Sequence, residues 1–164
     1  MKKSLITLII FIIFSCNDVA RAQSAEATSI ITVKLPEALD LAVTAGSMVD
    51  FDFTSNITLL TSGIEKQNAV TLTYKSNNPW FITISSTSAN FSGGDGTNPM
   101  PSSVIQFKNN IGGNYTPLTT TAVSLSGSSG AKNPRGSNTI GVDYKLTPGF
   151  EYSSAADYTI GVTY

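Results

Sequence analysis

Apolar and polar residues alternate one for one along much of this chain, the period that a half-buried β-strand requires. Ile31, Val33 and Leu35 alternate with Thr32 and Lys34, and Leu39, Leu41 and Val43 alternate with Asp40 and Ala42. Val49, Phe51 and Phe53 are spaced by Asp50 and Asp52, and Val70, Leu72 and Tyr74 by Thr71 and Thr73. Residues 81–84, 104–107, 122–125, 140–146 and 158–164 continue the pattern. Gly, Pro, Asn and Ser crowd the intervals at 62–63, 76–79, 93–96, 109–114, 127–136 and 147–149, supplying the backbone angles that turns need. No stretch carries a useful helical period. About eight to ten short strands punctuated in this way predict an all-β fold, an antiparallel β-sandwich.

The N-terminus breaks the pattern and reads as an export signal. Lys2 and Lys3 precede an apolar run over residues 5–14, and Ala20, Arg21 and Ala22 form a small-x-small site, so cleavage before Gln23 is expected. The run is about ten residues against roughly twenty for a membrane-spanning helix, so no span is expected after cleavage. A second reading stands beside it: Ile13, Phe14, Ser15 and Cys16 resemble the site at which bacterial lipoproteins are lipidated, which would leave a lipid anchor on Cys16. The organisation expected is a signal peptide over 1–22 and one sandwich domain over 23–164. Its expected location is extracellular or at the cell surface of a bacterium, with the periplasm or lipid anchoring as the lesser alternative.

Beyond residue 22 the chain holds ten acidic and seven basic side chains, a net charge of −3. Without clustered Lys and Arg there is no positive field to displace the counterions of nucleic acid, so that partner is excluded. Cys16 is the only cysteine and precedes the expected cleavage site, so the domain must be held by packing and strand pairing without disulfides.

Candidate chemistry is sparse. The chain has no histidine, which removes the usual general base near neutral pH. Asp50 and Asp52 are the one close carboxylate pair and would emerge on the same side of a strand, the arrangement a carboxylate-based hydrolase would use. The wet side of a half-buried strand, with Val49, Phe51 and Phe53 lining the core, is the simpler account of them. Asp95 and Asn98 lie in the Gly-rich loop SGGDGTNPMP, with too few oxygens for calcium. Lys132 and Arg135 sit on a flexible segment suited to a solvated loop or an acidic partner. Asn56, Asn90 and Asn114 begin N-x-Ser/Thr triplets, which arise by chance in so Ser/Thr-rich a chain. Trp80, Tyr115 and Tyr152 are candidates for stacking on sugar rings, although a Trp at the head of a strand is also the natural plug of a sandwich core. Neither a catalytic centre, a metal site nor a cofactor is expected.

The C-terminus AADYTIGVTY places Tyr158, Ile160, Val162 and Tyr164 at alternate positions. It resembles the closing strand of fimbrial subunits and spore-coat-U-like secreted proteins, an Ig-like or pilin-like class of sandwich. The signal, the Ala-Gln junction and the terminal VTY are also similar to small secreted proteins of Bacteroidetes-type bacteria. The fimbrial resemblance implies that subunits join when the N-terminal segment of one completes the sheet of the next, a strand addition driven by main-chain hydrogen bonds. Carried onto this chain, the closing strand is residues 158–164 and the donor is residues 30–35, with Ile30, Ile31, Val33 and Leu35 as its apolar side chains. That family usually has a disulfide, which is absent here, and Pro36 interrupts the alternation, so residues 30–35 also fit as the first strand of their own sandwich. The function expected is a non-enzymatic structural or adhesion protein of the fimbrium type, whose partners are copies of itself or another surface protein. A carbohydrate-binding module on a polysaccharide is the alternative, and a hydrolase the third.

Overall fold

The computed structural model describes residues 29–154 and 157–164. The expected signal peptide, its cleavage site and Cys16 lie outside the described residues. The chain divides into two compact units, Met1–Leu35 and Pro36–Tyr164. In the first, residues 29–35 form no strand, and Ile30, Ile31, Val33 and Leu35 are 93, 86, 73 and 78% exposed. Every strand described below belongs to the second.

That second unit is an antiparallel β-sandwich. Its larger sheet contains β1 (Leu39–Ala45), β2 (Ile64–Ser76), β5 (Ile105–Asn109), β6 (Thr116–Pro117) and β8 (Gly136–Leu146), in the order β1-β2-β8-β5-β6. A smaller sheet has β3 (Ile82–Ser86) at its centre, flanked by β7 (Val123–Ser126) and β10 (Val162–Thr163). A two-residue ladder joins β4 (Ser92–Gly93) to β9 (Tyr158–Thr159). The alternation read in the sequence becomes burial wherever the two sheets overlap. Val70 and Leu72 of β2, Ile140, Val142, Tyr144 and Leu146 of β8, and Ile105 and Phe107 of β5 face inward. Ile82 and Ile84 of β3 and Leu125 of β7 meet them, and Trp80 and Leu118 complete the core.

The cross-strand pairs explain why β8 is central. Val70 stands opposite Val142, Leu72 opposite Ile140, and Phe107 opposite Tyr144, so β-branched and aromatic side chains are matched on one side of three adjoining strands. Asn68 occupies the irregularity of β2 between Lys66 and Val70 with φ +48°, a left-handed angle that Asn tolerates better than most residues. Its Oδ1 accepts from Asn110 Nδ2 at 2.8 Å, across Gly141. A Cβ on Gly141 would overlap Asn68 Oδ1 and lie 2.6 Å from Asn110 Nδ2, so glycine is required there.

Three local expectations change on inspection of the fold. Val49, Phe51 and Phe53 keep their alternate burial but sit in an extended segment with no ladder partner among the described residues. A single helical turn, Leu59–Ser62, follows it, entered through Asn56 Oδ1, which accepts from the Thr58 amide at 3.0 Å and its hydroxyl at 2.8 Å. The closing strand is split: residues 158–159 pair with β4, residues 162–163 with β3, and Ile160 and Gly161 lie outside both ladders.

The two sheets are unequal in reach. Leu39, Leu41 and Val43 stand opposite Ser76, Tyr74 and Leu72 on the core side of the larger sheet, yet are 72, 38 and 45% exposed. The smaller sheet leaves them uncovered. Truncation should separate the two situations: Leu72→Ala is expected to lower the unfolding free energy by about 2–5 kcal/mol, and Leu39→Ala by less than about 0.5 kcal/mol. Urea unfolding of both variants measures the difference, and equal losses would show that β1 is covered after all.

Candidate functional site

The site most unlike an ordinary domain surface is the edge formed by β1. It is the terminal strand of its sheet, and all seven of its residues are exposed. Asn77, in the turn after β2, clamps the approach to it: Asn77 N donates to Ala38 O at 3.1 Å, Ala38 N donates to Asn77 Oδ1 at 2.9 Å, and Asn77 Nδ2 donates to Pro36 O at 2.6 Å. Asn78 Nδ2 adds a bond to Glu37 Oε1 at 2.9 Å. Residues 36–38 are thereby held alongside the end of β2. Thr44 anchors the far end through its hydroxyl, 3.0 Å from that of Thr73. Asp40 is the only charge on the strand and points to the outer side, opposite Lys75.

Beside the start of β1 lies a shallow concavity of about 310 Å³, lined in part by Glu37, Leu39, Asn78, Trp80, Phe81 and Lys132. Trp80, 7% exposed, is itself buried. Its ring is buried against Tyr74, with centroids 4.0 Å apart, and its backbone is bridged in both directions to Asn133. The ring faces needed for sugar stacking are therefore occupied within the core. Tyr115 lies under Lys108, whose Nζ is 4.7 Å from the ring centre, and Tyr152 is half-buried. The three aromatics thus sit in three different surroundings.

Sequence reading missed a polar cluster on the outer side of β5, β8 and β2. Asp143 is almost fully buried, although it lies on the side of β8 that faces away from the core. Its Oδ1 accepts from the Asn68 amide at 2.7 Å, and its Oδ2 is 3.6 Å from Lys108 Nζ. Lys108 also approaches Glu65 Oε1 at 3.8 Å. The Tyr115 hydroxyl beside Glu65, helped by the Lys108 charge, holds that carboxyl below its ordinary value, while burial pushes the Tyr115 phenol up. Such a cluster ties β2, β5 and β8 together on their outer side. The sequence signal was a carboxylate within the apolar run IGVDYKL, a place where a lone charge needs a partner.

Two other carboxylates, Asp52 and Asp95, are committed to local turns. Asp52 Oδ1 accepts from the Thr54 amide at 2.8 Å and its hydroxyl at 2.6 Å, which lowers the carboxyl pKa. A general acid needs a raised value, so Asp52 is poorly placed for the proton donation that a pair with Asp50 would require. Asp50 lines a separate open concavity of about 390 Å³ together with Lys66 and Gln67. Asp95 forms the same turn with Thr97, at 3.0 and 2.6 Å, and Asn98 Nδ2 donates to Glu151 O at 2.9 Å. Among the described residues no three acidic, His or Cys side chains converge in a way that could hold a metal. Arg135 and Lys132 are both exposed.

The closing segment presents Tyr158, Ile160, Val162 and Tyr164 half-buried and Thr159, Gly161 and Thr163 exposed. Tyr164 reaches the core, where its hydroxyl shares a 2.6 Å hydrogen bond with that of Tyr144, and the Tyr158 hydroxyl donates to Ser153 O at 2.9 Å. No described helix is long and apolar enough to cross a membrane. No protein-family model matches the chain, and no curated protein sequence does either.

Burial pushes both phenols of the Tyr144–Tyr164 pair above the ordinary value of 10.0. A raised value in the folded state means that this contribution to stability is complete below pH 10 and is lost as the pH rises, because the unfolded chain ionises first. The urea midpoint should therefore be level between about pH 7 and 9 and fall above about 10. In Tyr144→Phe the starting midpoint should be lower and the alkaline decline shallower. An unchanged decline in that variant would assign it to other groups.

Proposed function

We infer that this protein is an exported, non-enzymatic structural or adhesive subunit that assembles by strand addition, with residues 30–35 as the donated strand. The observation that carries this reading is the exposure of Ile31, Val33 and Leu35, three alternate side chains of one strandless stretch that are 86, 73 and 78% exposed. Burying such a side chain is worth about 1.5–3 kcal/mol relative to leaving it in water. A stretch that forgoes this at every second position has the pattern of a strand without a sheet. Strand addition supplies the sheet through main-chain hydrogen bonds, and the alternation supplies specificity.

Several features support the same reading. The apolar leader over residues 5–14 and the small-x-small site before Gln23 fit export. Of the Asp50–Asp52 pair that might serve a hydrolase, Asp52 is engaged in a turn with Thr54. The resemblance of residues 158–164 to the closing strand of fimbrial subunits agrees with a role in assembly, and copies of the same chain are the natural partner.

The reading predicts concentration-dependent association of the exported protein, measured by sedimentation velocity. Val33→Asp should weaken that association by roughly a hundred-fold or more, since a carboxylate replaces an apolar side chain at a buried contact. Because Val33 is exposed, the thermal midpoint should stay unchanged. A protein that remains monomeric at every concentration, or one whose association is indifferent to Val33→Asp, would defeat the proposal.

A further inference from the structure

We propose that the acceptor for residues 30–35 is the free edge of β1 in a second copy, in an antiparallel register that places Lys34 opposite Asp40. The inference rests on the strand-addition reading above and specifies where the strand is received.

The edge is prepared for a neighbour in two ways. Because Asn77 N donates to Ala38 O, the main chain of Ala38 faces β2. Alternation along an antiparallel strand then turns the N–H and C=O groups of Leu39, Leu41 and Val43 away from β2, toward the open edge. The side chains of these same three residues stand on the core side of the sheet without cover. A long exposed edge with uncovered apolar side chains is a template for another strand.

Residues 30–35 fit that template in one register. With Leu35 opposite Leu39, Val33 falls opposite Leu41 and Ile31 opposite Val43, so every core-side pair is apolar. Lys34, the only charge in residues 30–35, then meets Asp40, the only charge in β1, and Thr32 meets the small Ala42. The main-chain groups of 31, 33 and 35 meet those of 43, 41 and 39, the residues whose groups point outward. A slip of one residue would turn the apolar set to the wrong side. A slip of two would place Lys34 opposite Ala38 or Ala42, and a parallel arrangement pairing the same apolar sets also separates Lys34 from Asp40. Neither Lys34 nor Asp40 has an ion-pair partner among the described residues.

The acceptor belongs to a second copy because of the connection. For a chain to fold residues 30–35 onto its own β1 in this register, residues 36–38 would have to reverse direction. They are instead tied to Asn77 and Asn78 by the bonds of Pro36 O, Glu37 Oε1, Ala38 N and Ala38 O. A second copy supplies the strand with those bonds intact. The closing strand offers an edge as well, but residues 158–164 carry no side-chain carboxylate to meet Lys34. The contact is head-to-tail, so each copy both gives and receives, and assembly is open-ended.

The test is charge reversal in the full exported protein, with association followed by sedimentation velocity. Lys34→Glu and Asp40→Lys should each weaken association by about three- to ten-fold, the scale of converting an attractive cross-strand pair to a repulsive one. The double variant should return to within about two-fold of the parent protein. Mixing the two single variants should restore open-ended association with the two variants alternating, because the donor segment of each is complementary to the acceptor edge of the other. Recovery in the double variant without any in the mixture would overturn the second-copy assignment. Association that ignores both single reversals, or singles that weaken it without recovery in the double, would overturn the β1 register while leaving strand addition in place. A parent protein that never associates removes both.

Discussion

The structure depends on the burial of the inner face of β8. Among the described residues, Ile140, Val142, Tyr144 and Leu146 are the only run of four alternate core residues on one strand, and β8 is the strand that both β2 and β5 pair with. With Cys16 the one cysteine of the sequence, no disulfide within the chain can replace that packing. Everything else is arranged around it. Ile82, Ile84 and Leu125 close it from the smaller sheet, Trp80 and Leu118 seal its ends, and the Tyr144 hydroxyl draws Tyr164, the last residue, into the core. The outer side of the same strand carries Asp143, whose burial is tolerable only because the Asn68 amide and Lys108 face it. An uncompensated charge at that position would cost several kcal/mol, so the irregularity in β2 and the packing of β8 are linked through a single carboxylate.

A core centred on β8 leaves the periphery thin. The larger sheet has five strands and the smaller one three, so among the described residues no strand of the smaller sheet covers the apolar side chains at the outer edge of the larger one. Leu39, Leu41 and Val43 are the consequence. Soluble domains usually blunt such an edge with charges, prolines or bulges. Here the protection is partial: one aspartate on the strand, Pro36 before it, and a register shift between Val43 and Ala45. An edge left this open is compatible with a subunit that is meant to be completed, and that is why the assembly reading gains weight from the fold even though the donated residues form no strand of their own.

Much of this was legible in the alternation. The core sides of β2, β3 and β8 can be read from Val70 and Leu72, from Ile82 and Ile84, and from residues 140–146, since period two reports which side of a strand is apolar. It does not report whether a partner strand or a covering layer exists. Val49, Phe51 and Phe53 alternate as clearly as β2 does, yet gain burial without a ladder, and Leu39, Leu41 and Val43 gain a ladder without burial. Pairing and coverage depend on residues far away in the chain. The Lys108 cluster was illegible for the same reason: its members come from β2, β5, β8 and the loop before β6, and only the isolated Asp143 in an apolar run hinted at it. The stacking candidates illustrate the converse, because Trp80 looks alike in sequence whether its ring faces meet a sugar or Tyr74.

The same geometry bears on why β1 would favour residues 30–35 over a second β1. Two copies of β1 laid antiparallel about Ala42 would pair Leu39 with Ala45 across the register shift that begins after Val43. That shift breaks the even spacing of outward main-chain groups on which a continuous ladder relies. Moving the two-fold to Leu41 avoids the shift but leaves Asp40 opposite Ala42, with no countercharge. The donated stretch needs only the part of β1 before the shift, matches its three outward-facing residues with three of its own, and sets Lys34 opposite Asp40 across the free edge, on the other side from Lys75 of β2. The irregularity thus acts as a filter on length and charge: it limits edge-to-edge pairing of identical strands while leaving room for one short strand of opposite charge. Discrimination of this kind operates through the disfavoured pairing as much as through the favoured one.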